Sequence, residues 1–280
     1  MHMTHFLKGV IDVRALRWDL STMTTIDKFL LPKVTAVHNA GGWYVSQDIC
    51  TVEDQRSLFE FASGLYKDDV VPHSIVDIAG EGTTGRPSSS GQKRAVMLPT
   101  PEHKRVLEKN NEEGCVVADE DTPMEVRAAL YRVMENLATE ANNKGYKVTM
   151  NDRVDVEFTF TPVGTRRQDI HVDGPFNHHN NVTPLNPGCN GGTRVPELGQ
   201  DWKTEEFGNI NFVQPNIASG GSLAFDSTMP HGGPGNSGNE LRICLFTSFA
   251  LDETSRSHST DDLIIFDRTT LNRLRSENQL

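Results

Sequence analysis

The sequence contains no Cys-x-x-C pair, no long apolar run and no surplus of basic residues. Each absence closes a functional class. Its four cysteines, Cys50, Cys115, Cys189 and Cys244, are scattered along 280 residues. That usage reads as reduced thiols in a cytoplasmic protein, not as a disulfide framework. No apolar stretch approaches the ~18 residues that mark a membrane span, so none is expected. Lys and Arg total 27 against 38 Asp and Glu, a net charge of −11. Nucleic acids and anionic membranes select clustered positive charge, so neither is expected as the main partner. Residues 1–16 lack an apolar core ending in a small-residue cleavage site, so no secretory signal is expected. Fixed-period repeats and long low-complexity tracts are absent too.

What remains is a globular composition, 36% hydrophobic and 23% charged, long enough for a full core. The chain reads as a single domain spanning residues 1–280, with a change of texture near residue 150. Residues 1–150 look mixed and helical. Residues 151–252 look like strands joined by Gly, Asn and Pro loops, and 253–280 form a C-terminal extension. Between Met124 and Asn143, apolar residues recur every three or four positions (Val126, Leu130, Val133, Met134, Leu137, Ala141), which predicts an amphipathic helix. Thr122-Pro123-Met124-Glu125 resembles a capping box, and Asn142-Asn143-Lys144-Gly145 supplies a stop. A second helix is expected after Thr51, with Leu58, Phe59, Ala62 and Leu65 on one face. A shorter third one is expected from Thr100-Pro101. All three read as scaffold.

A Gly/Ser-rich loop follows Ala79, and Gly80 and Gly85 have phosphate-loop separation. Arg86 and Pro87 stand where the motif needs its Lys and Ser/Thr, so the phosphate-loop reading is rejected. From Arg153 the period becomes two. Val154, Val156, Phe158 and Phe160 alternate with Asp155, Glu157, Thr159 and Thr161, a strong strand signal. Further strands are expected at 168–173, 209–213, 222–226 and 241–250. Residues 174–208 read as one long irregular loop, positioned to shape substrate choice.

Residues two apart on a strand share a face, so His171 and Asp173 converge on one point. His231 follows the strand Ser222–Asp226 and offers a third ligand. Two histidines and a carboxylate on one face of an octahedral ion make the facial triad of non-haem Fe(II) oxygenases, which leaves positions open for cosubstrate and O2. Arg242 lies eleven residues after His231, mid-strand among apolar neighbours. A guanidinium there is costly unless a carboxylate or phosphate satisfies its donors.

His171-x-Asp173, His231 and Arg242 together resemble the Fe(II)/2-oxoglutarate-dependent dioxygenases. Within them the chain is most similar to the phytanoyl-CoA dioxygenase-like branch. The stretch from Gly220-Gly221-Ser222 through Met229-Pro230-His231-Gly232-Gly233 carries the likeness to that branch, which covers roughly residues 153–250. The resemblance implies a mainly β fold with flanking helices around a double-stranded β-helix, a cupin-like jelly roll. It implies Fe(II) held by His171, Asp173 and His231, 2-oxoglutarate paired through its far carboxylate with Arg242, and O2 as co-reactant. The substrate would be a small molecule of specialised metabolism, altered by hydroxylation, desaturation or oxidative cyclisation. Halogenating relatives lack the carboxylate ligand that Asp173 supplies here.

Arg166 and Arg194 are candidates for a carboxylate-bearing substrate, and Thr159 for the pocket lining. Surface arginines and a structural hydroxyl are the plainer readings. His178 and His179 read as solvated loop histidines. Trp202, Phe176 and Phe207 read as core or lid packing, and a salt bridge to Glu157 is the plain alternative for Arg242. Two rival functions stand beside the main one: a cupin-type iron dioxygenase without 2-oxoglutarate, and a non-catalytic jelly-roll binding protein. The sequence does not fix an oligomeric state.

Overall fold

The computed structural model describes residues 42–67, 93–98, 117, 119–165, 167–168, 170, 173, 178–186, 192–202, 209–233 and 235–251. The helix expected from Thr100, the Gly/Ser loop after Ala79 and the 253–280 extension lie outside them.

In chain order the elements are β1 (Trp43–Ser46), α1 (Val52–Lys67), β2 (Lys93–Val96), α2 (Met124–Asn143), β3 (Arg153–Thr161), β4 (His178–Pro184), β5 (Val195–Pro196), β6 (Phe212–Val213), β7 (Ser222–Asp226) and β8 (Arg242–Ala250). Six strands form one antiparallel sheet in the order β1-β7-β4-β8-β3-β2. A second sheet faces it. Its strands β5 and β6 pair directly. Arg194, just before β5, exchanges backbone hydrogen bonds with Gly232, and Gln168 N–H donates to the Gly233 carbonyl at 2.9 Å. The segments at 168, 232–233, 194–196 and 212–213 are thus knitted side by side. Two antiparallel sheets joined in this way make the expected jelly roll.

Leu223 and Phe225 of β7 pack with Val195 of β5, Met229, Ile210, Ile217 and Trp202 in a core between the two sheets. Trp202 is therefore a core residue. The other face of the large sheet carries the helices. Phe158 and Phe160 of β3 and Ile243, Leu245 and Phe249 of β8 form one cluster with Leu58 and Ala62 of α1 and Leu130, Val133, Met134 and Leu137 of α2. Each large side chain buried there contributes ~2–3 kcal/mol by area.

The helices obey their sequence signals with one difference. In α1 the Thr51 Oγ1 accepts from the Asp54 N–H at 3.0 Å, an N-terminal cap. In α2 the stripe is as expected, and Gly145 takes the left-handed conformation (φ 92°) just past its end. The Thr122 box does not form. Pro123 itself occupies the cap position at φ −54°, ψ 144°, with no side-chain cap bond. Its extended ψ puts the first helical turn one residue later than the capping box requires.

The stretch 174–208, expected as one loop, holds β4 and β5. β4 lies at the centre of the sheet, between β7 and β8. His178 and His179 are accordingly fully buried strand residues, not solvated ones. His179 sits beneath Tyr146, with ring centroids 4.2 Å apart, and the Tyr44 hydroxyl meets its Nε2 at 2.9 Å. Among the described residues no helix is long and apolar enough to cross a membrane.

Candidate metal centre

Two of the expected ligands meet inside the barrel. His231 Nε2 lies 3.3 Å from Asp173 Oδ2, with side chains only 7% and 11% exposed. His171 and Arg166 lie outside the described residues, so the third ligand rests on the H-x-D spacing alone.

The chain fixes both groups locally. After β7 the Asp226 carboxylate accepts from the Thr228 N–H at 2.9 Å and its hydroxyl at 2.8 Å. The Asp side chain thereby folds its own turn. That turn presents Met229 to His231. The Ser227 carbonyl accepts from the Asp173 N–H at 3.0 Å, which ties the two ligand segments together. Phe225 packs on the imidazole with centroids 4.6 Å apart. Gly233 N–H donates to Gln168 Oε1 at 2.7 Å. A Cβ at Gly233 would sit 2.5 Å from that oxygen, so any side chain there would have to displace the Gln168 amide from this bond.

The imidazole orientation has a chemical consequence. His231 Nδ1 is 2.9 Å from the Met229 carbonyl, which only accepts, so Nδ1 carries the proton. Nε2, on the other side of the ring, faces the Asp173 carboxylate oxygen. An imidazole nitrogen and a carboxylate oxygen converging in a buried site are the kind of donor set that a divalent cation would satisfy. Ligands at ~2.1 Å from an octahedral ion lie ~3.0 Å apart when adjacent, and the observed 3.3 Å fits that spacing. The residues present therefore suit a divalent metal. Among the described residues no group of three candidate ligands occurs, as expected with His171 outside them.

Asn180 and Ser248, which the sequence reading missed, stand behind Asp173. Asn180 Nδ2 donates to Asp173 Oδ2 at 2.8 Å, and Ser248 Oγ donates to Asn180 Oδ1 at 2.8 Å. They face each other across β4 and β8. Asn180 sits in the run His178-His179-Asn180-Asn181, whose polarity imitates a loop, and Ser248 has no local signal in β8.

Arg242 begins β8 on the same face as Ser248, at the end of the strand away from it. It is half-buried, lies opposite Thr161, and its Nη1 donates to the Gly235 carbonyl at 3.0 Å. Glu157, weighed as its salt-bridge partner, has Arg94 of β2 at 3.7 Å, both side chains buried. Thr159 is half-buried on that face, its hydroxyl 3.4 Å from the Cys244 carbonyl. Arg194 lies on the side of its strand opposite Val195, and its Nη2 donates to the Gln168 carbonyl at 3.1 Å. It braces the segment that leads to His171. Cys50 is a buried thiol pushed up to about 12, first by burial and then by the Asp54 charge, so it offers no activated nucleophile. Cys244 is buried in β8.

No protein-family profile and no curated protein sequence matches the chain. Solved structures do. The chain is similar to a prolyl hydroxylase in complex with a hypoxia inducible factor oxygen degradation domain peptide fragment, from Trichoplax adhaerens. The TM-score is 0.52 at 17% identity, covering 86% of this chain and 95% of that one. It is equally similar to SnoK, a non-heme alpha ketoglutarate dependent carbocyclase from nogalamycin biosynthesis, with TM-score 0.52, 8% identity, and 80% and 85% covered. At these identities the shared property is the fold, and the chain has the jelly-roll architecture of both proteins.

Proposed function

We propose that the chain is an Fe(II)- and 2-oxoglutarate-dependent oxygenase, acting in the cytoplasm on an unactivated C–H bond of a small molecule in specialised metabolism. The observation that carries this reading is the convergence of two buried ligand-type atoms, His231 Nε2 and Asp173 Oδ2, 3.3 Å apart. The H-x-D spacing adds His171 as the third ligand. When bound, the iron supplies O2 activation coupled to decarboxylation of 2-oxoglutarate, chemistry that no side chain provides.

The chain's own residues do the rest. His231 is held in one tautomer by the Met229 carbonyl, and Asp173 is held by Asn180. Arg242 offers a planar donor fork for the far carboxylate of 2-oxoglutarate. The buried core around Phe225, Leu223 and Met229 would keep water from that side of the site. Thr159 is proposed for the pocket lining, and Arg166 for an acidic substrate group. Asp173 supplies the carboxylate ligand that halogenating relatives lack. That favours hydroxylation, desaturation or oxidative cyclisation, and the two structural relatives are named for a hydroxylation and a carbocyclisation. Placement in the phytanoyl-CoA dioxygenase-like branch rests on the segment Gly220–Gly233.

The test is conversion of 2-oxoglutarate to succinate by purified protein under air. The expected result is turnover that requires Fe(II), stops with chelator and is abolished in Asp173→Ala. Turnover unaffected by chelation, or none with Fe(II) and a broad panel of small molecules, would remove the proposal.

A further inference from the structure

Asn180 and Ser248 occupy the two central strands of the large sheet, 2% and 0% exposed. An amide and a hydroxyl in such a place are costly unless every strong group is matched. Here the match has a direction. Asp173 is a carboxylate and only accepts, so the Asn180 amide must turn its NH2 toward Oδ2. Its Oδ1 then points at β8 and needs a donor, which Ser248 Oγ supplies. Each member dictates the orientation of the next. The last receiver is the oxygen that faces His231 Nε2.

We infer that Ser248 and Asn180 form a positioning relay that sets the angle and the charge of the Asp173 oxygen offered to the metal. The inference rests on the metal-centre reading above. A neutral amide donor fits this task better than Lys or Arg. It locks the carboxylate rotamer without adding positive charge that would repel a divalent ion. It also drains some charge from Oδ2, leaving a bound metal more electron-poor. Ser248 touches neither metal nor substrate and acts only through Asn180. Without its hydroxyl, the amide keeps the orientation that Asp173 imposes but loses the partner that anchors its oxygen end.

The test uses Co(II) as the probe, titrated anaerobically into wild type, Asn180→Ala, Ser248→Ala and the double variant, and read by its visible absorption. Asn180→Ala is expected to weaken binding roughly 10- to 100-fold and to shift the band pattern. Ser248→Ala is expected to weaken it roughly 3- to 10-fold. In the double variant the loss equals that of Asn180→Ala alone, because Ser248 has nothing left to act through. Ser248→Ala removes one oxygen from the core and keeps the fold, so it carries the test even if Asn180→Ala does not fold. Wild-type affinity and spectrum in the single variants, or losses that simply multiply in the double variant, would overturn the relay. Failure of the wild type itself to bind Co(II) would instead overturn the metal centre, and the relay with it.

Discussion

The large sheet has two buried faces built by opposite means. Toward the helices, β3 and β8 present mainly Phe158, Phe160, Ile243, Leu245 and Phe249, whose packing has no direction, although β4 adds a few matched polar groups such as His179. Toward the second sheet, the neighbouring positions of β8 and β4 present Ser248 and Asn180, followed by Asp173 and His231, and every group there depends on the next. The first face stores stability in area, which degrades gradually. The second stores specificity in direction, so one wrong donor disorders the chain of contacts.

Breaking the second face should cost function far more than fold. Asp173→Ala removes a proposed ligand, and on the order of a thousandfold of Fe(II)-dependent turnover is expected to go with it. The melting temperature should stay within a few degrees. A comparable fall in both would mean that the pair is structural. Breaking the first face should do the reverse. Phe158→Ala is expected to lower unfolding free energy by ~3–5 kcal/mol in urea, while the remaining folded protein binds metal as the wild type does. Arg242→Ala sharpens the contrast along one strand. It should raise the half-saturating 2-oxoglutarate concentration roughly 10- to 100-fold without changing metal affinity.

Smaller effects belong to the helical layer. Burial pushes the Asp54 carboxyl up, but hydrogen bonds from Arg132 and Thr51 outweigh it, so the group rests below its ordinary value. Its contribution is complete above the ordinary Asp value of ~3.9 and fades as pH falls through the lower folded value. Arg132→Met should therefore move the acid-unfolding midpoint to higher pH, measured by circular dichroism. Thr51→Ala should cost about 1 kcal/mol through the lost cap of α1, with turnover untouched.

The same contrast explains what could be read from the sequence. Apolar faces announce themselves by period, so α1, α2, β3, β7 and β8 were legible within a residue or two. The pairing of Asp173 with His231 was legible as well, because few residue types bind metal and their order along the chain is restrictive. β4 was not legible. Its alternation of His178, Asn180, Val182 and His179, Asn181, Thr183 is polar on both faces. Those residues are buried because partners elsewhere in the chain satisfy them. Asn180 and Ser248 are such partners, and neither carries a local signature. The cap of α2 misled for a related reason. Thr122 and Glu125 have the right spacing, yet the backbone of Pro123 decides where the helix begins.

The central claim is that His231 and Asp173 share one metal ion beside the cosubstrate anchored by Arg242. Its most direct test is the visible absorption of anaerobic protein mixed with Fe(II) and 2-oxoglutarate. A metal-to-ligand charge-transfer band is expected in the wild type, absent in Asp173→Ala and weakened in Arg242→Ala. A folded wild type that gives no band, or a band that survives loss of the Asp173 carboxylate, would contradict it.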